Sequence, residues 1–221
     1  MSELQILGPL GNIHINIALI IAELVGVPLK HIVVEYKEAT GKEFVKKYPL
    51  GSIPILITPD RDTILTPVAI FKYIARAGKQ LLGSSPLEET KIDQFLDIIL
   101  SNLHKSYDDI TTSIYGYREY DETSVKNAKK LFEKNLKFIN DALKIDTYLV
   151  GQKLSIADIA LAAVLHRTFK ITFDEKFRSE NPNTVRHLRY FSSIPIFSKY
   201  FGRLTLASGD WDPAKKAAVK A

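Results

Sequence analysis

The sequence predicts a two-part protein, an α/β first part followed by an all-helical second part. Three observations carry this. Over residues 1–79, short β-branched runs alternate with helical patterns. From Leu87 onward the apolar period becomes helical and stays so. Between them lies KQLLGSSP, rich in Gly, Ser and Pro, where a boundary is expected. The expected divisions are residues 1–79, a linker at 80–87, a helical part at 88–207 and a tail at 208–221.

Each element follows from local chemistry. LQILG is short, apolar and closed by Gly8-Pro9, which suits a strand and a turn. INIALIIAELVG places Ile17, Ile20, Ile21 and Leu24 at helical spacing, with Gly26 and Pro28 as stop signals. HIVVEY, residues 31–36, is β-branched and predicts a second strand. Strand, helix, strand in that order argues for a parallel βαβ unit. After the charged stretch KEATGKEFVKKYPLG, SIPILIT predicts a third strand with Pro54 at its entrance. The polar DRD turn and the run TILT complete a hairpin. PVAIFKYIARAG opens on proline, favoured in the first helical turn, and ends at Gly78. The order βαβ then ββα is the thioredoxin-like arrangement.

In the second part, KIDQFLDIILSNLHKSY puts Ile92, Phe95, Leu96, Ile99 and Leu103 on one face. The next helix does the same with Val125, Ala128, Leu131, Phe132, Leu136, Ile139 and Leu143. SIADIALAAVLHRTFKIT is more uniformly apolar, which predicts a helix buried in a bundle. Two shorter helices are expected around NTVRHLRYFSS and PIFSKYFGRL. The tail ASGDWDPAKKAAVKA is Ala/Lys-rich and predicts the start of a flexible linker in something longer.

Composition narrows the chemistry. Hydrophobic residues at 46% and charged residues at 25% fit a folded globular chain. The absence of Cys excludes disulfides, thiolate metal sites and cysteine nucleophiles. The start lacks a secretory signal, and Ile13 to Val25 is interrupted by His14, Asn16 and Glu23, short of the ~20 apolar residues a span requires. A cytoplasmic protein without membrane contact is expected. The net charge of +5 is interspersed with acids, which predicts a mildly basic surface and leaves RNA contact open. There is no phosphate loop, no metal-spaced His pair and no nucleophile elbow, so no cofactor or metal is expected. Asp108-Asp109 and Glu119, Asp121, Glu122 read as solvated loops.

Two internal motifs go further. Ile53-Pro54 stands where thioredoxin-like proteins carry a cis proline, a bond only ~0.5–1 kcal/mol above trans. Within YLVGQKLSIADIALA, Ser155 as N-cap and Asp158 form a capping box with Asp in place of the usual Glu. Buried at the head of a central helix, it satisfies donors that water cannot reach, so its expected role is folding. This string resembles the capping box and buried helix of the glutathione-transferase C-terminal domain.

The last quarter carries a more specific likeness. Phe177, Arg178, Pro182, Asn183, Thr184, Arg186, Tyr190, Phe191, Pro195, Phe197 and Gly202 resemble the end of the transferase-like domain of the elongation factor 1-gamma family. The segment Asp212 to Lys216 is similar to that family's exit into a lysine-rich linker. His187 stands where the family often has Trp. The resemblance implies a non-catalytic scaffold in the guanine-nucleotide exchange complex of translation. Its implied partner is the exchange subunit and, indirectly, elongation factor 1-alpha. A homodimer is also implied for transferase-like domains. A true glutathione transferase and an assembly domain of an aminoacyl-tRNA synthetase complex stay open as alternatives.

The same resemblance implies a vestigial glutathione pocket at Asn12, Ile53, Pro54, Thr66 and Pro67. The loop GPLGNIHIN has no Ser, Thr, Tyr or Cys, and Asn12 is its expected hydrogen-bond donor. His14 is expected as a surface or capping residue. Thr66 and Pro67 fall where transferases carry an acidic residue and Ser. Thr66 lacks the charge, and Pro67 lacks both hydroxyl and amide hydrogen. Each charge-assisted bond lost costs ~1.5–3 kcal/mol. Tyr115, Tyr117 and Tyr120 are expected either to contact a partner or to cover the loop between two helices.

Overall fold

The computed structural model describes residues 3–115 and 117–209, so Trp211 and the segment resembling a linker exit lie outside the described residues. The first half is a four-stranded sheet in the order β2-β1-β3-β4. Strand β1 (Leu4–Gly8) pairs in parallel with β2 (Leu29–Val33) and antiparallel with β3 (Ile55–Ile57). Strand β4 (Thr63–Leu65) closes the hairpin with β3, Ile55 facing Leu65 and Ile57 facing Thr63. The period-2 alternation of strands sorts the side chains. Leu4, Ile6 and Leu56 enter the main core, whereas Leu7 and Ile55 pack with Val34, Ala39 and Tyr48 on the opposite face.

Two helices, α1 (Ile13–Leu24) and α4 (Pro67–Ala77), cover the main-core face. They meet closely at Gly78, where an added Cβ would stand 2.3 Å from the Val25 Cβ. The charged stretch before β3, to which the sequence assigned no element, forms α2 (Tyr36–Ala39) and α3 (Lys42–Lys47) over the second face. The second strand also begins and ends earlier than HIVVEY suggests. Its register opposite Leu4–Gly8 takes Leu29 and Lys30 and leaves Val34 to Tyr36 outside.

The helical half runs α5 (Pro86–Asp97), a π-helical stretch (Ile98–His104), α6 (Lys105–Ile114), α7 (Glu122–Ala142), α8 (Ile156–Phe169), α9 (Glu175–Glu180), α10 (Pro182–Ser193) and α11 (Pro195–Phe201). Pro86 and Leu87 of the expected linker thus belong to α5, which Ser85 caps through the Glu88 amide. The uniformly apolar α8 is buried over nearly its whole length, as expected, and it packs against α1, α4, α5 and α10. Each fully buried Leu or Ile of this kind contributes ~1.5–3 kcal/mol. Leu24 and Leu131, placed on the core faces by spacing, are exposed instead: Leu24 is the last residue of α1, and Leu131 lies at the edge of the α7 apolar stripe. Of the acidic residues expected in solvated loops, Glu119 and Asp121 do lie exposed in the connection before α7, and the others are helical. Asp108 and Asp109 lie in α6, bonded to His104 and Lys105, and Asp121 caps α7 through the amides of Thr123 and Ser124.

The C-terminal motif residues tie α10 into place. Asn140 of α7 accepts from the Asn183 amide at 2.9 Å and the Thr184 amide at 3.2 Å, so a neighbouring helix caps α10. Arg186 donates to the carbonyls of Leu143 and Asp146, and Arg178 joins Ala207 to the α8–α9 turn. Gly202 ends α11 at φ 74, a region that favours glycine. From α11, Lys199 and Tyr200 both reach Glu23 of α1, joining the last helix among the described residues to the first.

Candidate functional site

A cleft of about 720 Å3 opens between the two halves. The sheet half supplies Gly11, Asn12, Ile13, His14, Tyr36 and Ile53. The helical half supplies His104, Tyr107, Asp108, Thr111, Thr112, Tyr115, Tyr117 and Arg167. Of the five residues expected at a pocket, Asn12 and Ile53 line this cleft. Pro54, Thr66 and Pro67 stand outside its lining. The Ile53–Pro54 bond is cis.

Asn12 is committed to the fold. Its Oδ1 accepts from the amides of His14 and Ile15 at 2.9 and 3.1 Å, capping α1. Its Nδ2 donates to the Tyr36 hydroxyl at 2.8 Å. That hydroxyl, missed in the reading of the loop itself, arrives from 24 residues away through α2. Thr66 caps α4 only by position: it makes no side-chain cap bond and sits at φ 71, ψ 137. A β-branched residue at positive φ is strained by ~1–3 kcal/mol. Pro67 follows at the first helical position, so that turn has one backbone donor fewer.

The floor of the cleft holds two imidazoles. His14 is the second residue of α1 and lies under the surface, its ring centroid 4.7 Å from that of His104. Burial and then the neighbouring His104 push the His14 pKa down to about 3. Burial also lowers His104, with Asp108 opposing and Arg167 adding to the shift. Both rings are therefore neutral at pH 7, and His104 Nδ1 stands 3.3 Å from the Asp108 carboxylate. His104 ends the π-helical stretch, a distortion frequent at functional sites. Arg167 supplies the fixed positive charge on this wall, and its guanidinium donates to the Gly11 carbonyl. The His166-Arg167 pair interrupting an otherwise apolar helix was the signal in the sequence that could have found it. Burial raises the Tyr107 pKa, with Arg167 opposing, so its hydroxyl stays a donor. Tyr115 and Tyr117 line the cleft and are exposed.

The capping box forms, and a larger network surrounds it. Asp158 Oδ2 accepts from the Ser155 amide at 2.9 Å and from the Ser155 hydroxyl at 2.7 Å. The Asp158 amide finds the Ser155 carbonyl at 3.2 Å. Its Oδ1 accepts from the Leu149 amide at 2.8 Å and stands 3.2 Å from His187 Nε2. The imidazole thus presents an N–H to the carboxylate, as an indole at this position would. Asp158 has no exposed surface and Ser155 almost none. Among the described residues no cluster of three or more His, Cys, Asp or Glu fits a metal ion, and no helix is long and apolar enough to cross a membrane.

Comparison with known proteins places these features. The family described as "Glutathione S-transferase, C-terminal domain" matches residues 97–195. Elongation factor 1-gamma 1 of Oryza sativa subsp. japonica is 30% identical over 214 residues, 95% of this chain and 51% of the relative. Glutathione S-transferase-like protein FUS3 of Gibberella fujikuroi is 30% identical over 146 residues, 65% of this chain and 70% of the relative. The crystal structure of the GST-like domain of elongation factor 1-gamma from Saccharomyces cerevisiae superposes with a TM-score of 0.79 at 22% identity, covering 96% of this chain and 99% of that one. The chain belongs to the glutathione-transferase-like family, and its sequence resembles elongation factor 1-gamma along most of its length. It spans about half the length of the elongation factor 1-gamma proteins it matches.

Proposed function

We propose that this glutathione-transferase-like chain is a non-catalytic scaffold domain of the translation elongation factor 1 machinery. In this reading it works in the cytoplasm and holds the guanine-nucleotide exchange subunit that serves elongation factor 1-alpha. A homodimer and a division into two domains near residues 80–87 belong to the same proposal. The observation that carries it is the pairing of two facts. The sequence resembles elongation factor 1-gamma over 95% of the chain. Three of the positions expected at a glutathione pocket, Asn12, Thr66 and Pro67, carry groups poorly suited to that ligand. Thr66 has no charge for an ammonium group, Pro67 has no N–H, and Asn12 is spent on capping α1 and on Tyr36.

The test is affinity capture. The purified chain is immobilised, a cytosolic extract from its own source is passed over it, and retained proteins are identified by mass spectrometry. Retention of the exchange subunit with elongation factor 1-alpha supports the scaffold, whereas recovery of aminoacyl-tRNA synthetases replaces it. Light scattering reads the homodimer: a monomer mass removes that part.

One observation favours a second reading, residual glutathione transfer. The Tyr36 hydroxyl, held by Asn12, supplies a phenol beside the loop that lacks one in sequence. A conjugation rate that Tyr36→Phe abolishes would establish this reading against the first.

A further inference from the structure

The groove between α9 and α10 gathers three guanidiniums against a single carboxylate. It measures about 620 Å3 and is lined by Arg178, Arg186, Arg189 and Glu175 over an aliphatic floor of Val185 and Leu206. Arg186 and Arg189 are three residues apart on α10 and so share a face. Arg178 and Arg186 bond only to backbone carbonyls, which are neutral acceptors that leave the charge unpaired. A guanidinium has five N–H donors, so both keep unused ones. Arg189 is exposed and makes no hydrogen bond or ion pair among the described residues. Three like charges around one groove repel one another, and an anion placed there relieves that repulsion.

We propose that this groove docks an acidic peptide segment of a partner protein, with Asp or Glu carboxylates on the guanidiniums and an aliphatic side chain on Val185 and Leu206. Planar guanidiniums match carboxylates bidentately. No aromatic ring lines the groove, so the stacking platform of a single-stranded nucleic-acid site is missing. Glu175 opposes a continuous phosphate backbone, whereas a peptide spaces its carboxylates past it. The chain's own segment 210–221 carries Asp210 and Asp212 but also Lys215, Lys216 and Lys220, so its side chains sum to a positive charge and match the groove less well than an acidic peptide does. The groove is separate from the cleft, and the proposal does not depend on the elongation-factor reading.

Fluorescence anisotropy on the full chain tests it. The probes are a fluorescein-labelled peptide of Asp and Glu around one Leu, the same peptide with Lys for each acid, and an oligouridylate of equal charge. The acidic peptide is expected to bind with micromolar affinity that weakens with salt, and the lysine peptide not at all. Arg189→Glu is expected to reduce affinity roughly tenfold or more with an unchanged melting temperature, since Arg189 holds no internal contact. Glu175→Gln is expected to tighten binding severalfold. Absence of binding at millimolar peptide, insensitivity to Arg189→Glu, or preference for the oligouridylate would each overturn the proposal.

Discussion

The N-termini of α8 and α4 start alike and end differently. Both open at a hydroxyl N-cap residue, an extended Ser155 in one and Thr66 at positive φ in the other. At α8 a buried carboxylate collects donors from Ser155, Leu149 and His187. At α4 the cap side chain bonds to nothing, the first residue is Pro67, and Thr66 is held at positive φ. A helix start closed by its own side chains contributes stability, whereas one left open serves a ligand or stays unused. The protein keeps a strained backbone at the start of α4, where neither Thr66 nor Pro67 carries a charge.

The difference can be broken at α8 first. Asp158→Ala leaves several buried donors without an acceptor, and removing one member of such a buried set costs ~3–5 kcal/mol. Thermal melting followed by circular dichroism should then show a fall of about 10 °C or more. A change of a degree or two would mean that the network is dispensable.

At α4 the comparison is sharpened by repair. Pro67→Ser restores a hydroxyl and an N–H, and Thr66→Glu restores a charge. Each should raise glutathione affinity roughly tenfold to a hundredfold, measured by titration calorimetry. Affinity that stays flat in the double variant would locate the defect elsewhere in the cleft.

Acidification should separate the cleft from the capping network. The folded-state pKa of His14 falls from 6.5 to about 3, so the unfolded chain binds the extra proton between those values. Stability is therefore complete above pH 6.5 and is lost as pH falls toward 3. His166, pushed down to about 4 chiefly by burial, acts in the same direction. By pH 5 His14 alone should cost on the order of 2 kcal/mol, and His14→Gln should lose less between pH 7 and 5 than the parent. Equal losses would place the sensitive group elsewhere. The smallest effect is expected from Ser155→Ala, about 1 kcal/mol or ~2–4 °C, with glutathione affinity untouched.

Much of this was legible along the chain because it is local. Period-2 runs marked β1, β3 and β4, the helical period marked α1, α4, α5, α7 and α8, and Ser155 with Asp158 marked a cap within one turn. Thr66 and Pro67 were legible for the same reason, since a missing charge and a missing N–H are properties of the residues themselves. The short helices α2, α3 and α9 were not, because four to six residues seldom complete an apolar stripe.

The sequence by itself determined the order of elements, the chemistry absent from the loop after β1, and the closure of α8. Tertiary structure alone decided which distant groups meet. It set the Tyr36 hydroxyl on Asn12, His14 against His104, His187 on the buried Asp158, and three arginines around one groove. Periodicity and caps act within about four residues, so they can be read in one dimension. Those meetings span tens of residues and exist only because close packing of α1, α8 and α10 leaves each side chain one place to go.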